Sequence, residues 1–325
     1  MSGIAIENAS FLKKYQPRRF KDFDHEHYHT KVLKMFIEMD SLNLLIIGNG
    51  GSGRTTLIEA IMREYYQMDK IPHENVLYIN NINEQGIRYY RNNVKTFCQT
   101  KGTLVGKKKM LILDDIDMVD ERNQQVFRNF IDKYSNNVNF LASCSNNQKV
   151  IDSIQSRCSI IKINPTTHKI MDTIYQRIAS EEKLVIEEEA KEFILKVSNQ
   201  SIRLLLNYLE KIKLYDENIN ILNVKDICTN ISFHVLENYT NKWYKEDDLN
   251  GAINIIFSIQ NNGYSVMDIL DSYILYIKFC PYINEEVKYK IIKVICKYIS
   301  IFYRVSENEI QLAFFTNEIM KQKKK

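Results

Sequence analysis

Up to Pro165, short apolar runs alternate with amphipathic stretches. That is how strands buried on both faces of a parallel sheet read when helices separate them. Strands are predicted over Leu42–Ile47, Asn75–Ile79, Met110–Leu113, Asn139–Ser143 and Ser159–Ile163, and helices over Thr55–Met68, Ile87–Thr100 and Arg122–Tyr134. From Thr167 onward strand signals stop and apolar residues recur every three or four positions, as in Phe193, Ile194, Val197 and then Ile202, Leu205, Leu206, Leu209. Pro165 marks a first domain boundary and Asp226–Thr229 a second. Residues 231–325 read as a bundle of about five helices, broken at Asn261-Asn262-Gly263 and at Pro281, with Lys321–Lys325 as a frayed tail. The expected division is an α/β domain over 1–165, a small helical domain over 166–228 and an all-helical domain over 229–325.

Composition narrows the class. The 325 residues allow two or three domains, and 45% hydrophobic with 26% charged residues is ordinary globular usage. Only ten glycines and four prolines favour long helices over a turn-rich sheet. No apolar run approaches the roughly 18 residues of a membrane span, and the first residues lack the apolar core of a secretory signal, so an intracellular protein is expected. Cys98, Cys144, Cys158, Cys228, Cys280 and Cys296 form no CxxC pair, which argues against a zinc ribbon or redox dithiol and for reduced, mostly buried thiols. The 44 basic and 40 acidic residues leave a net charge of +4, too little for a protein that coats nucleic acid, so any such contact is a local patch.

Four of the ten glycines fall within six residues. Leu44-Leu45-Ile46-Ile47 runs into Gly48-Asn49-Gly50-Gly51-Ser52-Gly53-Arg54-Thr55-Thr56: a strand, a glycine-rich loop and a helix start with P-loop spacing, in which Arg54 replaces the usual lysine. Such a loop turns backbone N–H groups onto a phosphate, the helix N-terminus adds its dipole, and Thr55 offers a hydroxyl to Mg²⁺. The plain alternative is a glycine turn opening a helix. Further on, Met110-Leu111-Ile112-Leu113-Asp114-Asp115 is an apolar strand ending in paired carboxylates, the form of a Walker B element. Asp114 would hold Mg²⁺ through water, and Asp115 stands where a glutamate usually orients the attacking water. An acidic pair that merely caps the next helix is the competing reading.

The run from Leu111 to Cys158 resembles the small subunits of replication factor C, the sliding-clamp loader. The resemblance implies an α/β P-loop AAA+ domain with a parallel sheet, a small helical lid domain and an all-α collar domain, with ATP and Mg²⁺ as cofactors. Ser156-Arg157-Cys158 matches the family's Ser-Arg-Cys motif, making Arg157 an arginine finger for a neighbouring subunit's site. Lys14-Tyr15-Gln16-Pro17 resembles the segment beside the adenine, with Tyr15 stacking and Pro17 fixing the turn. Ser201-Ile202-Arg203-Leu204 resembles sensor 2 and points Arg203 at the γ-phosphate, although Gln200 replaces a glycine. The sensor 1 position, an asparagine in the family, falls on Ser145, beside Asn146. Gly263-Tyr264-Ser265 with Asp268-Ile269, and Arg304 through Leu312, resemble collar signatures through which five subunits join.

The implied partners are other loader subunits in a hetero-pentamer, a PCNA-like sliding clamp and primer-template DNA, with no membrane. Arg88, Arg91 and Lys95, joined by Arg122 and Arg128, are candidates for DNA phosphate contact, against the plainer reading of solvated helix faces. Arg54, Asp115 and Ser145 are three departures in one hydrolytic site. They keep open a second reading, a subunit that binds nucleotide without turning it over and contributes its finger and collar. A different AAA+ remodeller of nucleic acid is a third. His25, His27 and His29 converge on a metal only in a strand, and the family places a loop and helix start there. Lys107–Lys109 reads as a charged loop, and Tyr298, Phe302 and Tyr303 as core or collar interface rather than a base-stacking platform. Enrichment in Ile, Asn, Lys and Tyr suggests an AT-rich genome, such as that of a large DNA virus or a parasite, and hence action in a nucleus or a viral replication compartment.

Overall fold

All five predicted strands form, as Leu44–Ile47 (β1), Val76–Ile79 (β2), Lys109–Leu113 (β3), Val138–Cys144 (β4) and Ser159–Lys162 (β5). They pair in parallel in the order β2-β3-β4-β1-β5. The computed structural model describes residues 10–23, 27–79, 90–215, 220–302, 305 and 307–323. β3 and β4 are buried at every position, as the apolar runs require. Successive side chains go to opposite faces. Leu45, Leu111 and Leu113 pack with Phe127, Phe130 and Ile131, while Leu44, Ile46, Met110 and Ile112 pack with Ile58, Ile61 and Tyr65. β1 begins two residues later than predicted because Leu42, though buried, donates its amide to Asn139 Oδ1 at 3.2 Å.

The helices that cover these faces, Arg54–Tyr66 and Glu121–Tyr134, lie close to their predicted ranges. The predicted helix over 87–100 is described from Tyr90, first as a π-helical turn to Val94 and then as an α-helix over Lys95–Gln99. Lys107–Lys109 differs from the charged loop expected of it. Lys109 opens β3 and is buried, its ammonium donating to Phe97 O at 3.2 Å and Thr100 Oγ1 at 2.6 Å. Burial pulls its pKa below the usual lysine value. Lys107 lies 4.5 Å over the Tyr65 ring and Lys108 donates to Asp40 O at 2.8 Å. Long apolar stems let these lysines cover aromatic surface while their ammonium groups find oxygen.

The chain divides into two units. One holds the sheet and extends through Glu181, with Ser198–Glu210; the other holds Glu182–Val197 and the chain from Lys211. In the second unit, five α-helices follow residue 231 among the described residues: Phe233–Thr240, Leu249–Asn261, Val266–Phe279, Glu285–Phe302 and Ile310–Lys323. The breaks sit where the sequence placed them. Gly263 takes φ +97° after the second of these helices, and Ser265 caps the third by accepting from the Asp268 amide at 3.0 Å. Trp243, Tyr239, Tyr273 and Phe315 form the buried centre of the bundle, and Tyr298 packs on Phe315 as core. Five of the six cysteines are buried free thiols and Cys296 is exposed. Burial pushes Cys98, Cys158 and Cys228 up to about 12. Among the described residues, no helix is long and apolar enough to cross a membrane.

Candidate nucleotide site

The loop after β1 emerges at the carboxyl edge of the sheet, between β4 and β5, where parallel α/β sheets bind ligands. Its base is fixed by the Gly48 amide, which donates to Cys144 O at 3.2 Å, and its tip by the Ser52 amide, which donates to Asn49 O at 3.2 Å. Asn49 and Gly50 are exposed. Gly51 and Gly53 take φ of +77° and +91°, the left-handed region that favours glycine. A Cβ on Gly51 would lie 2.3 Å from Ser201 Oγ and 3.5 Å from Arg203 Cβ, so the Ser201–Arg203 segment lies against the loop. Arg54 begins the helix, so Thr55, Thr56 and the unpaired amides of its first turn adjoin the glycines. Ser52 Oγ and Arg54 Nη1 are buried with no hydrogen-bond partner. Phosphate oxygens would satisfy both, and the glycine backbone leaves room for them.

Beside the loop, Asp114 is 4% exposed and collects three hydroxyls. Thr55 and Tyr78 donate to its Oδ2 at 2.9 and 2.6 Å, and Ser143 donates to its Oδ1. Burial, reinforced by the bond to Asp114, holds the Tyr78 phenol far above its ordinary pKa, so it remains a donor. The Thr55 hydroxyl and Asp114 carboxylate form an all-oxygen set that suits a hard cation such as Mg²⁺. Asp115 has left-handed backbone, φ +55°, and its amide donates to Ser143 Oγ at 3.0 Å. Its Oδ1 lies 2.8 Å from Arg54 Nη2, so the two residues that depart from the usual P-loop and Walker B types are paired with each other.

Ser145 follows β4 and is committed elsewhere than a phosphate. Its amide and hydroxyl donate to Asp117 Oδ2 at 3.1 and 2.5 Å, and the Asn146 amide donates to the same oxygen at 3.0 Å. Burial opposes ionisation of Asp117, but these hydrogen bonds outweigh it and hold the carboxyl below the usual carboxylate range. The Asn146 side chain accepts from the Gln148 amide at 2.9 Å. Asn199 and Gln200 take φ of +45° and +62°, so Gln200 adopts left-handed backbone at the position where the resemblance expects glycine.

Gln16 Nε2 donates to Glu59 Oε2 at 3.1 Å, tying the Tyr15–Pro17 segment to the helix that begins at Arg54. Tyr15 and Pro17 line an open pocket of about 340 Å³ with Arg177 and Glu181. Arg157 is exposed just after the short helix Asp152–Gln155; its Nε donates to Asp132 Oδ1 at 2.5 Å and its Nη1 to Ser153 O at 2.8 Å. Lys95 and Arg122 are exposed at helix starts, and Arg128 is half-buried with Nη2 donating to Asn129 Oδ1 at 2.5 Å. Arg88, His25 and Arg304 lie outside the described residues, as do the side chains of Arg91, His27 and His29. Sequence reasoning missed Tyr78, Ser143 and Asp117. Asp117 was the most accessible, an acid two residues beyond the Walker B pair.

A glycine cradle at a helix N-terminus, beside a buried acid and a threonine hydroxyl on a five-stranded parallel sheet, defines a P-loop protein of the AAA+ class. The chain matches the AAA domain family over residues 40–169. The replication factor C small subunit of Methanothermobacter thermautotrophicus is 30% identical over 229 residues, 70% of this chain and 70% of that protein. The small subunit of Methanocella arvoryzae is 31% identical over 205 residues, so the match spans 63% of each chain. Among solved structures, a DNA polymerase III gamma subunit-related protein from Thermotoga maritima shares the fold, with a TM-score of 0.57 at 14% identity over 90% of this chain and 99% of that one. The chain belongs to the replication factor C small-subunit family.

Proposed function

We propose that this chain is a clamp-loader subunit that binds ATP with Mg²⁺ and, in a hetero-pentamer, opens a sliding clamp and loads it onto primer-template DNA. The observation that carries the reading is the meeting of Thr55 with Asp114 at 2.9 Å, beside a glycine loop against which Ser201 and Arg203 pack. Bound Mg²⁺ would neutralise charge on the phosphates. The Gly48–Gly53 amides and Arg54 would hold those phosphates, Tyr15 and Pro17 would flank the base, and Asp115 would orient water. Arg203 would reach the γ-phosphate from the helical side, and Arg157 would act on a neighbour's nucleotide. The division into AAA+ domain, lid and collar at 165 and 228 belongs to this reading. Lys95, Arg122 and Arg128, with Arg88 and Arg91, would meet DNA phosphates by charge, as suits recognition of a junction by shape. Its place of action would be the nucleus, or a viral replication compartment.

A second reading, a subunit that binds ATP without fast turnover, draws support from two contacts. Arg54 is paired with Asp115, and the Ser145 hydroxyl is taken by Asp117. The test is ATP turnover by the reconstituted loader with clamp and primed DNA, for wild type, Asp115→Ala and Arg157→Ala. Loss with both variants supports a hydrolysing subunit, and loss with Arg157→Ala alone supports the second reading. Loss with neither removes the clamp-loader role.

A further inference from the structure

Arg54 and Asp115 meet from different elements. Arg54 opens the helix after the glycine loop; Asp115 follows β3, fixed by left-handed backbone and by its amide's bond to Ser143. The Arg54 side chain is 13% exposed, with Nη2 on Asp115 at 2.8 Å and Nη1 buried and unpartnered. The guanidinium fork is rigid and planar, so turning it to place both edges on a phosphate takes Nη2 away from Asp115. A phosphate held by the glycine loop would approach the same fork, because Arg54 directly follows Gly53.

We propose that Asp115 is a positioning residue that competes with the terminal phosphates of a nucleoside triphosphate for Arg54. Seating the phosphate and freeing the Asp115 carboxylate are then one exchange. The carboxylate becomes available to orient water only after the guanidinium has turned to the phosphate. A diphosphate, bringing less charge to the fork, displaces Asp115 less completely. The inference rests on the reading of the glycine loop as a nucleotide site, and it makes that site selective for the triphosphate through a contact formed by this chain's two departures.

The test is a double-mutant cycle on the full chain. Affinity for Mg²⁺ with the non-hydrolysable β,γ-imido analogue of ATP, and separately with ADP, is measured by calorimetry for wild type, Asp115→Asn, Arg54→Ala and the double variant. Asp115→Ala serves as a second variant, since asparagine keeps an oxygen that could still accept from Arg54, and melting curves establish that every variant is folded. Removing the Asp115 charge is expected to tighten the triphosphate analogue about two- to fivefold, the upper part of the range for a partly exposed ion pair, and ADP by less. Both gains should vanish in the Arg54→Ala background. An equal gain in that background would mean only that a negative charge near the phosphates had been removed, and would overturn the proposal. So would no gain at all. If wild type binds neither nucleotide, the nucleotide reading falls and takes this inference with it; if wild type binds and the cycle shows no coupling, only the inference falls.

Discussion

Thr55 and Asp114 stand 59 positions apart, yet the threonine hydroxyl donates to the carboxylate at 2.9 Å. The strand order explains the meeting. β4 lies between β1 and β3, so the helix start after β1 and the end of β3 face each other across it, and Ser143 of β4 supplies the donor to the other oxygen of Asp114. Thr55→Ala and Asp114→Asn are therefore expected to act alike. Each should lower Mg²⁺-dependent nucleotide affinity by about tenfold or more, the range for groups that orient a metal site. Affinity measured in EDTA should change little. Titration of a fluorescent ATP analogue with and without Mg²⁺ checks this.

Asp117 gives the same edge of the sheet a pH dependence. Its carboxylate is held below its ordinary value by the Ser145 hydroxyl and by the Asn146 and Ser145 amides, against the opposing effect of burial. A carboxyl with a depressed folded-state pKa adds stability above its unfolded value, 3.8, and loses it as pH falls through the folded value. Wild type should thus lose stability in acid below about pH 4. Asp117→Asn should be flatter there and weaker at pH 7 by about 1.5–3 kcal/mol, the cost of replacing a charged acceptor. Urea unfolding from pH 3 to pH 7 reads both effects.

Much of this was legible in the sequence. Apolar runs four to seven residues long, with amphipathic stretches between them, located all five strands, because the central strands of a parallel sheet are buried on both faces. The glycine cluster located the phosphate loop, since few other uses need so many left-handed or Cβ-free positions so close together. The partners of the acids were not legible. The P-loop and Walker B motifs brought Thr55 and Asp114 to one cation, but nothing in local spacing joins Tyr78 and Ser143 to Asp114; strand order alone does. Lys107–Lys109 misled for a related reason. Whether a lysine run is solvated depends on the aromatic rings and carbonyls the fold brings to it, here Tyr65, Phe97 and Asp40.

Arg157 is presented at the surface but not loose, because Asp132 holds its Nε and Ser153 O its Nη1. Reaching a neighbouring subunit's phosphate would require the side chain to exchange Asp132 for that anion. In a loader whose own site on this chain is disabled by Asp114→Asn, Arg157→Ala should still depress hydrolysis at the adjoining subunit, on the order of 10³-fold at that site. Nucleotide affinity of the isolated chain should be unchanged by Arg157→Ala. Single-turnover ATP hydrolysis and equilibrium binding, run side by side, separate the two outcomes.

The helical bundle makes a different kind of prediction, because its centre is polar as well as aromatic. Trp243 Nε1 donates to Tyr273 OH at 3.0 Å, Thr240 Oγ1 lies 3.2 Å from the same oxygen, and all three residues are buried. Removing one hydroxyl leaves the ring packing with Tyr239 and Phe315 intact but strands the indole N–H without an acceptor. Tyr273→Phe should therefore cost about 1–3 kcal/mol, the penalty for an unsatisfied buried donor, although the substitution removes a single atom. Tyr298→Phe is the comparison. Its hydroxyl donates to Glu318, which Lys297 also holds at 2.7 Å, so the carboxylate keeps a partner and the loss should be smaller. Equal losses in denaturant midpoint for the two variants would show that the buried network around Tyr273 adds no more stability than the Tyr298–Glu318 hydrogen bond.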